Sequence, residues 1–182
     1  VDSLDASSQT IQGKTMRWFI ADTHFNHANV IVYDKRPFKD VIEMENEIVR
    51  RWNSSIKHDD VVYHLGDFAF GSIQLQHEIL SKLNGQKILI RGNHDGSENR
   101  CKKSGWHFVC DGILLAIGGF TVCLSHDPSV VPKDFMLLHG HTHKHSDRPN
   151  GICVSCNLWN YSPVSEKTII NKLKGVKNDL CS

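Results

Sequence analysis

No stretch of this 182-residue chain approaches the roughly 20 consecutive apolar residues that a membrane-spanning helix requires, so no role inside a bilayer is expected. Charge of one sign is also missing: 21 basic against 20 acidic residues leave a net charge of +1. A broad field that would recruit a nucleic-acid backbone or an acidic membrane is therefore absent, although a nucleic-acid substrate is not excluded. There is no internal repeat and no low-complexity tract. The six cysteines lack the spacing of a zinc site. The single Cys-x-x-Cys, Cys153 and Cys156, falls on an apolar run with strand character, where residues three apart point to opposite faces and make poor joint ligands. Ordinary buried thiols are expected for these and for Cys101, Cys110, Cys123 and Cys181.

The length suits one domain with a proper core and is too short for two, so residues 16–182 are read as a single domain. Residues 1–15 are polar, show no hydrophobic period and contain no apolar leader core. They read as a disordered extension or a remnant of expression, with Met16 as the natural start, and a reducing cytoplasmic location is the expectation. From Met16 the pattern becomes regular. Residues 41–56 have a helical apolar period with charge on the other face, and 73–83 form a second helix closed by Asn84-Gly85 before a strand at 87–90. Further on, 113–117 and 120–124 flank Gly118-Gly119, the spacing of a two-residue hairpin, so the second half is expected to be more antiparallel. A strand at 152–156 and a last helix opening at Pro163 complete the reading. The fold class expected is α/β, with two mixed β-sheets packed face to face and helices on the outside.

What the chain has in abundance is histidine, twelve residues, most of them in or beside five short motifs. In order these are Asp22-Thr23-His24, Gly66-Asp67, Gly92-Asn93-His94-Asp95, Ser125-His126 and Gly140-His141-Thr142-His143. Each follows an apolar run of strand character, at 18–20, 61–63, 88–90, 122–124 and 136–138. Strand ends of a layered α/β fold converge at one sheet edge, which allows residues far apart in sequence to share a site. Carboxylate and imidazole together suit divalent Mn, Fe, Zn or Ni, and a carboxylate bridges two such ions readily. Alone, Gly-Asp or Asp-x-His usually marks a turn or a cap. All five in order, each after a strand, carry the inference.

The set resembles the calcineurin-like metallophosphoesterase superfamily, in particular its small bacterial and phage-type phosphoesterases, over nearly the whole chain from Met16 to the last helix. The resemblance implies an αββα sandwich and two divalent transition metal ions, manganese favoured. Asp22, His24 and His143 would hold metal one, Asp67 would bridge, and Asn93, His126 and His141 would hold metal two. His94 would stay unligated and face the substrate. It also implies in-line attack on phosphorus by a bridging hydroxide, made available at neutral pH by two cations roughly 3.5 to 4 Å apart. Asn93 and Arg91 would meet charge on the phosphoryl oxygens, and His94 would protonate the leaving oxygen. His27, Asn26 and Arg36, in or near the mouth of the first loop, are either phosphate contacts or ordinary loop residues.

The remaining histidines are read as packing or surface groups, with His64 and His139 placed to support the ligands rather than bind metal. Trp159 and Tyr161 are read as core in preference to a pocket wall. In protein serine/threonine phosphatases the Gly-Asp motif runs on into Asp-Arg-Gly, whereas here it continues Phe68-Ala69-Phe70-Gly71, which speaks against a phosphoprotein substrate. A small phosphodiester, nucleotide-like, is preferred by analogy. A phosphomonoesterase, a nucleotide pyrophosphatase or a single-metal hydrolase is the alternative. A protein-binding scaffold, as in one retromer subunit of this fold, conflicts with the complete ligand set.

Overall fold

The structure, a computed structural model, describes the backbone of residues 15–180 and the side chains of residues 15–175. The expectation of a disordered extension at residues 1–15 falls, but for Thr15, outside the described residues.

Alternation along three short strands builds the core. β1 (Arg17–Ile20), β2 (Val61–His64) and β3 (Gln86–Ile90) run parallel, with β4 (Phe108–Cys110) parallel beyond β3. Because successive side chains of a strand point to opposite faces, Ile20, Val62 and Leu89 enter one apolar layer while Phe19, Tyr63 and Ile90 enter another. The first layer is completed by Met44, Ile48 and Trp52 of α2 (Val41–Ser55) and by Ile79 and Leu80 of α3 (Ile73–Lys82). Asp40 caps α2 by accepting from the Glu43 N–H, and Ser72 caps α3 by accepting from that of Leu75.

The second layer lies between sheets. β5 (Gly112–Ile117) and β6 (Phe120–Ser125) form the hairpin expected around Gly118 and Gly119, whose φ angles of 57° and 87° are those of a type I′ turn. β7 (Met136–His139) and β8 (Gly151–Cys153) follow in parallel, so this sheet has order β5-β6-β7-β8 with one antiparallel pairing. The second half is thus less antiparallel than its sequence suggests. Val122, Leu124, Leu138 and Ile152 face Phe19, Tyr63 and Ile90 across the interface. Both sheets are mixed and the class is α/β, as expected.

Two boundaries differ from the sequence reading. The strand expected to reach Cys156 stops at Cys153, because Ser155 leaves β8 to bridge Ala21 of the other sheet and Cys156 opens a 3-10 turn. The last helix does not begin at Pro163. Val164–Ser165 form β9, an antiparallel edge strand on β1, and α5 (Glu166–Leu180) starts after it, with the Ser165 hydroxyl accepting from the Thr168 N–H. Two short helices, α1 (Asn29–Tyr33) and α4 (Glu98–Lys103), have too few turns to show a period.

The start of β1 is fastened by Asp60, whose carboxylate accepts from the Met16 and Lys57 N–H groups at 2.9 and 3.0 Å and from the Trp18 indole at 3.1 Å. Burial opposes ionisation here, but these donors outweigh it and hold the carboxyl below the usual carboxylate range. A depressed folded pKa stabilises above the unfolded value of about 3.9, and that stabilisation is lost as pH falls through the folded pKa. Asp60→Asn is expected to cost about 1–3 kcal/mol at pH 7. Urea unfolding of both proteins should show the gap closing as pH drops below about 4, and a gap independent of pH would contradict the assignment.

Candidate metal centre

Five parallel strands deliver their C-terminal ends to one edge, and every ligand of the five motifs lies within four residues of such an end. The two sheets are locked together there. The Ala21–Ser155 bridge joins them directly, with the Ala21 N–H donating to Val154 O at 2.9 Å and the Cys156 N–H to Ala21 O at 2.9 Å, while Asp22 N–H to Gly66 O at 3.0 Å and Gly140 N–H to His126 O at 3.1 Å tie neighbouring loops within each sheet. This is how Asp22 and His143, far apart in sequence, come to share a site.

The ligand atoms form two groups. Asp22, His24 and His143 present one ligand atom each within 4.8 Å of one another, and so do Asp22, Asp67 and His126. His24 Nε2 and His143 Nε2 are 3.1 Å apart, with Asp22 Oδ1 3.5 Å from the latter. On the other side Asn93 Oδ1 lies 3.0 Å from His126 Nε2 and 3.1 Å from His141 Nδ1, and those two nitrogens are 3.2 Å apart. Asp67 Oδ2 reaches both groups, 3.5 Å from His126 Nε2 and 3.8 Å from His24 Nε2.

Whether cations fit is decided by the lone pairs. His126 Nδ1 is 2.8 Å from Leu65 O, a carbonyl that only accepts, so the ring proton is on Nδ1 and Nε2 turns a lone pair toward Asn93 Oδ1. His143 Nδ1 is 2.6 Å from Asp34 Oδ2, so its Nε2 likewise faces His24 Nε2 with a lone pair. Without a cation such clusters hold together by taking up protons. Burial works against charge at both rings, yet Asp67 and Asp22 push His126 up to about 9, and Asp22 with Asp34 push His143 up to about 9. Asp67 is held at about 2 because His126 and the His94 N–H outweigh its burial. Divalent ions at these two positions would replace the protons, and the donor set of carboxylate, amide oxygen and imidazole suits them. His24 differs: burial lowers it to about 4, and its Nδ1 has no hydrogen-bond partner among the described residues.

Most of the groups that support the site are brought to it only by the fold. Asp34 accepts from His143 and from Arg36 Nε and Nη2 at 3.1 and 3.0 Å, while Arg36 also donates to the carbonyls of Thr23 and Asp22 at 3.0 and 2.9 Å. Arg36 is therefore a buried brace of the first metal loop, not a phosphate contact, with the Tyr161 ring against it. Asp95 accepts from the N–H groups of Gly92, Asp67 and Phe68 at 2.7 to 2.9 Å and staples the second and third motif loops to each other. Ser155 donates to Asp22 Oδ2. His64 acts as foreseen: Thr23 spends its hydroxyl proton on Phe68 O, so His64 Nε2–H donates to Thr23 Oγ1 at 3.0 Å. Asp95 stood in a motif already noted and Asp34 beside Arg36, but neither partner is local.

Five of the seven expected ligands, Asp22, His24, Asp67, His141 and His143, have φ between 52° and 69°. Left-handed backbone at non-glycine residues costs about 1–3 kcal/mol each and persists only where surroundings enforce it. Alternating it along Asp22-Thr23-His24 and His141-Thr142-His143 turns both ligands of each motif to one side. Gly92 is needed for a different reason, since a Cβ there would come within 2.2 Å of Asp67 Oδ1.

Because Asp34 fixes the ring and tautomer of His143, Asp34→Asn is expected to weaken metal binding by about 10- to 100-fold while leaving the fold in place. Competition with a chromophoric chelator measures this, and unchanged affinity would remove Asp34 from the centre.

The groups assigned to substrate are placed unequally. The His94 backbone N–H donates to Asp67 Oδ1 at 3.0 Å, while its ring, 48% exposed, lies 3.9 Å from Asp67 Oδ2, beyond hydrogen-bonding distance. It is near the ligands and free to face a substrate. Arg91 pairs with Asp111 at 2.6 Å and donates to Gly96 O at 2.6 Å. Asn26 turns its side-chain amide to Phe70 O at 3.4 Å and its N–H to Glu45. His27 packs on Phe70, with ring centroids 4.3 Å apart. Cys153 and Cys156 share no contact, and Trp159 and Tyr161 pack into the two apolar layers.

Residues 18–167 match the calcineurin-like phosphoesterase superfamily domain. The chain is 35% identical over 170 residues to an uncharacterized protein of Methanocaldococcus jannaschii, an alignment covering 86% of this chain and 90% of that protein. It is 30% identical over 159 residues to the gene 66 protein of Mycobacterium phage L5, covering 69% and 76%. A solved structure from Aquifex aeolicus, described as a protein of unknown function, superposes with a TM-score of 0.72 at 28% identity over 87% of this chain and 99% of that one.

Proposed function

The chain belongs to the calcineurin-like phosphoesterase superfamily, as a metal-dependent phosphoesterase, and on that premise we propose that it is a dinuclear hydrolase of small phosphodiesters. The observation that supports two ions over one is Asp67, whose Oδ2 lies within 4 Å of His126 Nε2 in one ligand group and His24 Nε2 in the other. Asp22, His24, His143 and Asp67 would hold one ion; Asp67, Asn93, His126 and His141 the other. Manganese is favoured among Mn, Fe, Zn and Ni. When bound, the pair supplies Lewis acidity, acidifying water for attack in line at phosphorus and neutralising phosphoryl charge.

The protein's own groups do the rest. Asn93 gives its Oδ1 to the second position and keeps its NH₂ for a phosphoryl oxygen. His94, unligated and half exposed, donates a proton to the departing oxygen. Asp95, Asp34 and Ser155 keep the geometry fixed before substrate arrives. The domain spans residues 16–182 in this reading, and the free thiols Cys101, Cys110, Cys123, Cys153 and Cys156 suit a reducing, cytoplasmic setting. No helix among the described residues is long and apolar enough to cross a membrane.

Metal analysis after loading with excess Mn, followed by rates on aryl monoesters, aryl diesters, cyclic nucleotides and dinucleoside polyphosphates, tests the proposal. Two ions per chain and a preference for diesters are expected. One ion at saturation would refute the dinuclear reading, and monoesters turned over far better would refute the diester preference.

A further inference from the structure

Beside the metal centre runs a line of aromatic rings that neither apolar layer absorbs. Phe70 lies 5.2 Å from the His94 ring and 6.0 Å from that of His24, centroid to centroid. His27 stands 4.3 Å from Phe70 with the planes 36° apart, and Tyr33 lies 6.3 Å beyond His27 at 74°, edge-on, so that it ends the line as a wall. Among the described residues, Phe70 and Tyr33 belong to neither core cluster, and Tyr33 is 73% exposed with Val32 beside it at 75%. Apolar surface is thus left in water at the far end of this line.

Its position relates it to one end of the substrate. His94 protonates the leaving oxygen, so the leaving group departs on the His94 side of the metals, and the nearest ring on that side is Phe70. The Phe70 end of the line is held in place before anything binds. Phe70 N–H donates to Phe25 O at 2.9 Å, Phe25 bridges Ala69, and Gly71 O accepts from Arg100. The Asn26 side-chain amide donates to Phe70 O at 3.4 Å. Rigid flat rings lose little entropy on binding and stack on a planar partner whatever its hydrogen-bonding edge.

Resting on the phosphodiesterase reading, we propose that Phe70, His27 and Tyr33 form a stacking shelf for a nucleobase on the leaving side, which makes the substrate a nucleotide diester. A ribosyl or alkyl leaving group gains nothing from these rings. A nucleoside gains the base–aromatic contact, which corresponds to about 5- to 150-fold in affinity. The shelf faces bases without reading their edges, so little preference among the four bases is expected.

The test uses Mn-loaded protein and two isosteric phosphonates, in which carbon replaces the ester oxygen so that neither is cleaved: that of adenosine 5′-monophosphate and that of ribose 5-phosphate. Calorimetric titration is expected to show the adenosine compound binding about 5- to 150-fold tighter. The ratio should fall toward one in Tyr33→Ala and in Phe70→Leu. Tyr33 is at the surface, so its variant is read without concern for folding. Equal affinities in the unmodified protein, or a ratio that survives both substitutions, would overturn the shelf. Because binding is measured without turnover, a tight adenosine compound alongside inert diesters would keep the shelf and discard the diester reading alone.

Discussion

Asp67→Asn is expected to lower kcat/KM by about 10³- to 10⁴-fold, because each of the two cations that its carboxylate would share supplies several kcal/mol of transition-state stabilisation. The substitution is nearly isosteric. It keeps an oxygen for the His94 N–H, now 3.0 Å from Oδ1, and keeps the side chain among its neighbours. What it removes is the negative charge that serves both ligand groups and that the buried His126 needs. Metal content should therefore fall from two ions per chain toward one, with the fold unchanged by circular dichroism. Two ions still bound and a rate within tenfold of the original would show that Asp67 does not bridge.

His94→Ala should cost about 10²- to 10⁴-fold on diesters whose leaving group is an alkoxide, since an unprotonated alkoxide is a poor leaving group. The same variant should lose far less on p-nitrophenyl diesters, whose leaving oxygen carries its charge unaided. Metal content should not change, because the His94 ring stands 3.9 Å from the nearest carboxylate oxygen and is half exposed. The dependence on leaving group separates a proton donor from a binding contact. Equal losses on both substrates would assign His94 to phosphoryl binding, and no loss on either would remove it from the reaction.

Much of the molecule was legible in the chain because its signals are local. The alternation in Trp18-Phe19-Ile20 and Val61-Val62-Tyr63 reports strands that pack on both faces, and Gly118-Gly119 reports the turn that two positive φ angles require. The strand before each motif places the ligand at a strand end. Misreadings arose where distant pairing overrode local preference. Val164 and Ser165 follow a proline that ordinarily starts a helix, yet they pair with Phe19 and Trp18, partners some 145 residues away. Arg91, one residue before the third motif, pairs with Asp111 after β4, a partner that its own segment does not announce. Arg36 looked like a loop cation and proved to be a brace, because only the folded chain brings Asp34 and the carbonyls of Asp22 and Thr23 around it.

The sequence by itself determined which carboxylate, amide and imidazole groups stand in the five motifs, in what order, and that each would stand near the end of a strand, because residue identity and strand periodicity are properties of a few consecutive residues. The tertiary structure decided what those atoms do: that Asp67 faces two groups, that Asp34 and Leu65 O set which nitrogen of His143 and His126 is free, and that five ligands hold left-handed backbone. It also decided that Phe70, Tyr33 and His27 stand together beside His94. Each of these is a relation between separate segments, fixed by packing and hydrogen bonds across the two sheets, and no periodicity within one segment encodes it.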